Sequence, residues 1–472
     1  NFFCGYQGYQ GYQVFPSITR VVPTPNLAME VRSNLSERLN IEEADDEDVD
    51  SAPLVNSSES GKYFCFYIPT RWIYVPPDGE TEKPKTNSIG TIFLSLNTMI
   101  GAGILVQPHI FMETGILVAT FEFIVVGIMT YIGVYVLMKV AEHHQVFDYT
   151  LIMDKVFQKN GGKTADAAIA LGQAGATLSY VLIIGLLFSE VLESCSQWYC
   201  NRSLLSVFTI ACISVPLCLI RRLGHLVIAS TISTLIIGAT VLLVIIGGPL
   251  EDNSGDEEYQ LADGLGALKN LGGIVFAMEY IVGIFYVYDG MENQSVSNYS
   301  RLLSISTAIG CFLCFIIGLA GYLSFRDDTE VLIVENFDGP TGGIFKMGVA
   351  IHLLLFFPGD LNILRASLTK LCEIDVLKQS NNSFIVLTLA LITVIVGTGV
   401  LLQQVGGNGT LMNVINVSGG SIFTFLSFII PGACGMYTFT PDTNYYLYWQ
   451  SWLLVLFGVF IVLVVIISSF LS

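Results

Sequence analysis

From residue 86 onward the chain alternates apolar stretches with short polar connections, and each stretch has about the 20 residues that cross a bilayer as a helix. The pattern predicts helices near 88–112, 115–140, 166–193, 203–220, 225–248, 270–290, 302–325, 343–365, 383–403, 411–437 and 450–471. The expected class is an all-α integral membrane protein with about eleven spans. An odd count puts the two termini on opposite faces. Residues 1–85 follow no such pattern. They carry Gly-Tyr-Gln repeats over 5–13 and an acidic run over 42–50, and this composition buries too little apolar surface to offset ordering entropy. The expected organisation is a disordered acidic cytosolic tail over 1–85 and a membrane domain over 86–472. The aromatic segments 63–68 and 72–75 are candidate docking points for a cytosolic protein partner or for the membrane domain.

Charge sharpens the topology. The chain is 53% hydrophobic and 13% charged, with a net charge of −18; soluble domains are about 25% charged, so membrane lipid is an expected partner. Residues 1–85 hold 13 acids against 7 Lys and Arg. With the tail inside, the inner connections carry Lys139, Lys155, Lys159, Lys163, Arg221, Arg222, Arg301, Arg365, Lys370 and Lys378. The outer ones carry Arg202, Lys269, Arg326 and Lys346. Ten against four follows the positive-inside rule and predicts a cytosolic N-terminus. The acidic connections 251–263 and 327–338 then face outside. No basic stripe or reading motif points to nucleic acid. No secretory leader precedes the first span, which is expected to serve as the insertion signal.

The first span contains a contradiction. Between Ser95 and Pro108 it is apolar enough to cross a membrane, yet Gly101 and Gly103 loosen the helix and Pro108 removes a donor. Freed backbone groups are tolerated in hydrocarbon where protein or a cavity satisfies them. A broken span is thus a candidate solute site, close helix packing through small residues being the alternative. The spans divide into two blocks, 88–248 and 270–440, of five each, with 450–471 left over. Because five is odd, the second block enters from the opposite face, as an inverted repeat does. The sixth span should mirror the first: Gly101 lies 13 residues past Ser88 and Gly283 lies 13 past Asn270. Glu279 falls beside that expected second break. Ionisable residues at membrane depth are functional candidates by default, which makes Glu279 the candidate for reversible protonation. Glu122, Glu190 and His352 read as buried packing residues. Asp360 is placed to meet Asn362 or Arg365.

Other features are local. Cys195 and Cys200 flank a short polar loop and are a disulfide candidate, two free thiols being the alternative. Asn201 and Asn408 head sequons on the outer face and are candidate glycosylation sites. Segment 147–159 sets Tyr149, Ile152, Val156 and Phe157 among charges, the pattern of a short interfacial helix. No nucleophile elbow, P-loop or Cys/His metal spacing occurs, so no enzyme activity, cofactor or metal is expected.

The motifs in order resemble the amino acid/auxin permease family, which includes sodium-coupled neutral and vacuolar amino acid transporters. Asn97 through Leu105 is similar to its Asn-x-x-x-Gly-x-Gly-Ile-Leu pattern. Gly321-Tyr322-Leu323-Ser324-Phe325 with Thr329 is similar to its seventh-span ending. Pro358 to Arg365, Gly419-Gly420-Ser421 and Phe428 to Pro431 complete the series. The resemblance implies a LeuT-like 5+5 inverted repeat with discontinuous spans 1 and 6 plus one extra C-terminal helix. It further implies transport of small neutral amino acids by alternating access. Solute would then meet Asn97, Thr98, Gly101, Ala102, Gly103 and Ile104 on one side and Phe276, Glu279, Tyr280 and Gly283 on the other. Residues 353–357 are apolar where a sodium-coupled relative is expected to carry a hydroxyl, and Asn97 alone is a weak sodium ligand. The expected coupling ion is the proton, with sodium second. The alternative function is an amino-acid sensor signalling through its tail. A degenerate acidic-dileucine-like segment, 50–55, favours a vacuolar or lysosomal membrane over the plasma membrane.

Overall fold

The computed structural model describes residues 86–192, 201–220, 227–250, 258–374, 380–406 and 409–471. The proposed tail, Cys195, Cys200 and Asn408 lie outside the described residues. Among the described residues the fold is helical, with one isolated bridge between Thr86 and Met291 in place of any strand.

The first span is α1 (Ser88–Met99), a 3-10 turn (Ala102–Val106) and α2 (Gln107–Thr114). Then follow α3 (Ile116–His144), α4 (Tyr149–Phe157) and α5 (Lys159–Val191). A π-turn joins α6 (Arg202–Thr209) to α7 (Val215–Cys218), and α8 (Val227–Gly247) comes next. The sixth predicted stretch contains α9 (Gly264–Met278) and α10 (Ile284–Asp289), and α11 (Val296–Phe325) and α12 (Gly339–Leu371) follow. The chain closes with α13 (Asn381–Val405), α14 (Thr410–Val417), α15 (Ile430–Thr438) and α16 (Pro441–Leu471). Among the described residues, eight helices are long and apolar enough to span a membrane, and the bent pair in the first stretch makes up to nine. Arg202–Cys218 and Ile232–Gly247 are apolar but shorter. The protein is a membrane protein.

Local chemistry sets the ends of these elements. Asn87 accepts from the Gly90 amide, Asp148 from Leu151 and Ser380 from Ser383, each satisfying a donor in a first turn. Asp263 does the same for Leu265 and Gly266, and those amides hold its carboxyl below the usual carboxylate range. Pro358 sits inside α12 and cannot bond the Leu354 carbonyl; the Ser214 hydroxyl donates to that carbonyl instead, at 2.8 Å.

Helix α4 differs in role from the interfacial expectation. Tyr149, Thr150, Ile152 and Met153 are buried, and the Tyr149 hydroxyl donates to the Leu426 carbonyl at 2.6 Å. The apolar face packs on the bundle because its polar tip finds a backbone acceptor there. The core is continuous around the first span, where Phe315 meets Phe111 and Phe123 edge to face and those two rings lie tilted on each other, joining α2, α3 and α11.

Candidate solute site at two backbone breaks

The chain leaves helical geometry at Ile100 (φ −88°, ψ 96°) and Gly101 (φ −119°, ψ −150°), and the halves on either side bend by 60°. It does so again at Glu279 (φ −76°, ψ 128°) and Tyr280 (φ −155°, ψ 6°), before a 3-10 turn over Ile281–Gly283. The two breaks touch. A side chain at Gly103 would begin 2.7 Å from the Ala277 Cα, and one at Gly283 would begin 3.2 Å from the Thr98 methyl. Only glycine lets these backbones approach so closely. Gln107 stitches the two together, its Nε2 donating to the Gly103 carbonyl at 2.6 Å and reaching the Gly273 carbonyl at 3.4 Å. Asn416 accepts from the Gly273 amide at 2.7 Å, tying α14 to the same helix.

The predicted residues divide by surroundings. Asn97, Thr98, Gly101, Glu279 and Gly283 keep partial exposure although they lie near the middle of their spans. Ala102, Gly103 and Ile104 are buried in the 3-10 turn that restarts the span. Phe276 is buried edge-on against Phe423. The Tyr280 hydroxyl meets Thr307 on α11. The Asn97 amide oxygen accepts from the Thr234 hydroxyl, linking α1 to α8. One Glu279 oxygen faces the Val282 amide at 3.4 Å, a weak cap on the restarting turn.

Several expectations change. Asp360 meets neither Asn362 nor Arg365: its Oδ2 accepts from the Tyr180 hydroxyl at 2.7 Å. Arg365 turns away, donating to Asn362, Thr388 and the Cys218 carbonyl. Glu122 has an oxygen without a hydrogen-bond partner, in contrast to the satisfied packing role expected of it. Glu190 is ion-paired with Lys346 at 3.2 Å. His352 is a buried interior residue whose Nδ1 bonds the Ser233 hydroxyl at 2.6 Å, while Nε2 is unpartnered. Sequence reasoning missed Tyr180 and Phe356, both within 4 Å of a side chain placed at Gly101; no local pattern marks either. A cavity of 280 Å³ lies elsewhere, between α4, the start of α5 and the last span-10 turns, lined by Met153, Phe157 and Phe425 among others. It shares no lining residue with the breaks.

A bundle of helices long and apolar enough to cross a membrane, two of its spans interrupted where they touch, defines a polytopic membrane protein. The chain belongs to the family described as transmembrane amino acid transporter protein, which matches residues 84–471. It is 24% identical to vacuolar amino acid transporter 2 of Saccharomyces cerevisiae over 74% of this chain and 76% of that one. It is 27% identical to amino acid transporter AVT6C of Arabidopsis thaliana over 66% of this chain and 78% of that one. A rat relative, 25% identical over 75% of this chain and 79% of its own, bears the words sodium-coupled neutral amino acid transporter 11 in its name. Among solved structures, a mutant of the Eremococcus coleocola manganese transporter aligns with a TM-score of 0.54 at 11% identity, covering 83% of this chain and 88% of that one. That likeness concerns the fold alone.

Proposed function

We propose that this protein is a secondary active transporter of small neutral amino acids, working by alternating access around the two breaks and coupled to protons. The observation that carries the reading is the contact of two interrupted spans, Gly103 against Ala277 and Gly283 against Thr98, in a chain of the amino acid transporter family. On this reading 88–248 and 270–440 are the inverted repeats, the two shorter apolar helices count as spans four and five, and α16 is the eleventh. The solute carboxylate lies against the backbone amides that follow Gly101, where a helical start favours an anion. Its ammonium lies toward the carbonyls at the second break and Glu279. The half-buried Glu279 carboxyl, which faces the Val282 amide at a long 3.4 Å, is the group that exchanges a proton. Asn97 is engaged by Thr234, which supports the proton over sodium as the coupling ion. The tail and N-terminus are cytosolic, and a vacuolar or lysosomal membrane is favoured by the vacuolar relatives.

The test is uptake of an amino-acid panel by proteoliposomes under an imposed pH or sodium gradient. Uptake driven by the pH gradient and indifferent to sodium is expected. In Glu279→Gln the pH dependence of uptake should flatten. A sodium requirement, or an unchanged pH profile in that variant, refutes the corresponding assignment.

A further inference from the structure

The Tyr180–Asp360 pair is brought to the first break from two other helices. Tyr180, buried on α5, places its hydroxyl 3.6 Å from where a side chain at Gly101 would begin, and Phe356 on α12 lies 3.9 Å from the same point. The hydroxyl donates to Asp360 Oδ2 at 2.7 Å. The Phe356 and Tyr180 rings meet edge to face at 6.1 Å and hold this wall in shape. Asp360 keeps partial exposure in the middle of α12. Arg365, the nearest cation on its own helix, is committed to Asn362, Thr388 and Cys218, and the buried His352 ring is bonded to Ser233. Glu279, at the second break, is another carboxyl that keeps partial exposure inside its span. Two carboxyls at membrane depth, neither in an ion pair among the described residues, need a positive group from outside or a proton.

We propose that Asp360, oriented by the Tyr180 hydroxyl, is a second recognition residue of the amino-acid site and that, in place of Glu279, it takes the solute's cationic nitrogen together with the second-break carbonyls. This rests on the transporter reading above and refines it. Glu279 is left as the acid that carries the coupling proton, so the two carboxyls divide the work that one was expected to do. Tyr180 is a positioning residue: its hydroxyl donates to Oδ2, which leaves Oδ1 for the solute.

The experiment uses the full chain in proteoliposomes and an amino acid that the wild type takes up. D360N should raise KM about tenfold or more, the loss of a charge-assisted hydrogen bond, with the shape of the pH profile kept. Y180F should raise KM about threefold, and D360E should recover most of the loss. The des-amino analogue of the substrate, a carboxylic acid with the nitrogen removed, should inhibit wild type and D360N equally. An unchanged KM in D360N overturns the proposal, as does a des-amino analogue that inhibits the wild type better than D360N. A flattened pH profile in D360N also overturns it, because Asp360 would then be the proton carrier. Should D360N fail to reach the membrane, Y180F and D360E carry the same comparison. If the wild type neither takes up nor, by thermal stabilisation in detergent, binds any standard amino acid, the transporter reading itself falls, before any variant is compared.

Discussion

Two glycines two residues apart do different work, and the difference belongs to packing. At Gly101 a methyl group would lie 3.6 Å from the Tyr180 hydroxyl and 3.9 Å from Phe356, ordinary contact distances, and φ of −119° suits any L-residue. At Gly103 the same methyl would begin 2.7 Å from a backbone atom of the neighbouring span and 3.0 Å from the Phe276 ring. Gly101→Ala should therefore fold and reach the membrane as the wild type does, while raising KM several-fold as it narrows the space before Tyr180. Gly103→Ala must spread the two breaks and should lose about 1–3 kcal/mol of stability, the usual cost of overpacking. Thermal unfolding and uptake measured side by side separate the two, and equal unfolding temperatures would refute the distinction. In the sequence both glycines read alike, as residues that weaken a helix. That a break occurs here follows from Gly101, Gly103 and Pro108 in an apolar run; which glycine faces solute and which faces a helix depends on Ala277, far away in the chain. Tyr180, and with it the true partner of Asp360, was hidden for the same reason, since helical periodicity assigns a residue to a face and leaves its partner undetermined.

The α12 helix shows how an element with a defect is held. Pro358 leaves the Leu354 carbonyl without its helical donor, and Ser214 fills the gap from the π-turn after α6. Seven residues later, Arg365 spreads its guanidinium over three partners. One nitrogen reaches Thr388 at 2.9 Å and the Cys218 carbonyl at 3.3 Å, the other reaches Asn362 at 2.6 Å, and the plane lies 4.0 Å above the Phe384 ring. The helix is thereby fastened to α7 and α13, which steadies the segment that presents Phe356 and Asp360. A lysine has the charge without the planar fork. Arg365→Lys should lower stability by about 1.5–3 kcal/mol, the worth of hydrogen bonds to a charged group, seen as a lower unfolding temperature in detergent. An unchanged unfolding temperature would show that the fork is dispensable. The Pro-to-Arg spacing was visible in the sequence as a family resemblance; its physical meaning, a repaired kink followed by a staple, required the three helices that meet there.

At the scale of the molecule, the segment between α11 and α12 closes one end of the bundle. Leu332, Ile333, Val334 and Phe337 are buried, Ile333 packs by Gly321, and the Thr329 carbonyl pairs with His109 at 3.2 Å. This segment carries an acid into the interior. Glu335 accepts from the Leu332 amide at 3.3 Å and lies near the Glu190 carboxyl, itself paired with Lys346 at 3.2 Å. Burial first, and then Glu190, hold the Glu335 carboxyl well above the usual carboxylate range, with Glu330 adding to the effect. The docked segment thus binds a proton that the undocked chain releases in mildly acidic solution. Its contribution to stability is complete below the ordinary carboxylate pKa and falls as pH rises toward the shifted value. Between pH 5 and 9 the unfolding temperature of the wild type should decline. Glu335→Gln, which keeps the neutral hydrogen-bonding form at every pH, should remove that part of the slope while retaining the low-pH stability. Matching slopes in the two proteins would place the pH dependence elsewhere. The polar residues 326–338 looked like a solvated acidic connection in the sequence. They are instead an apolar plug, Leu332 to Val334, whose one acidic neighbour enters the interior by holding its proton.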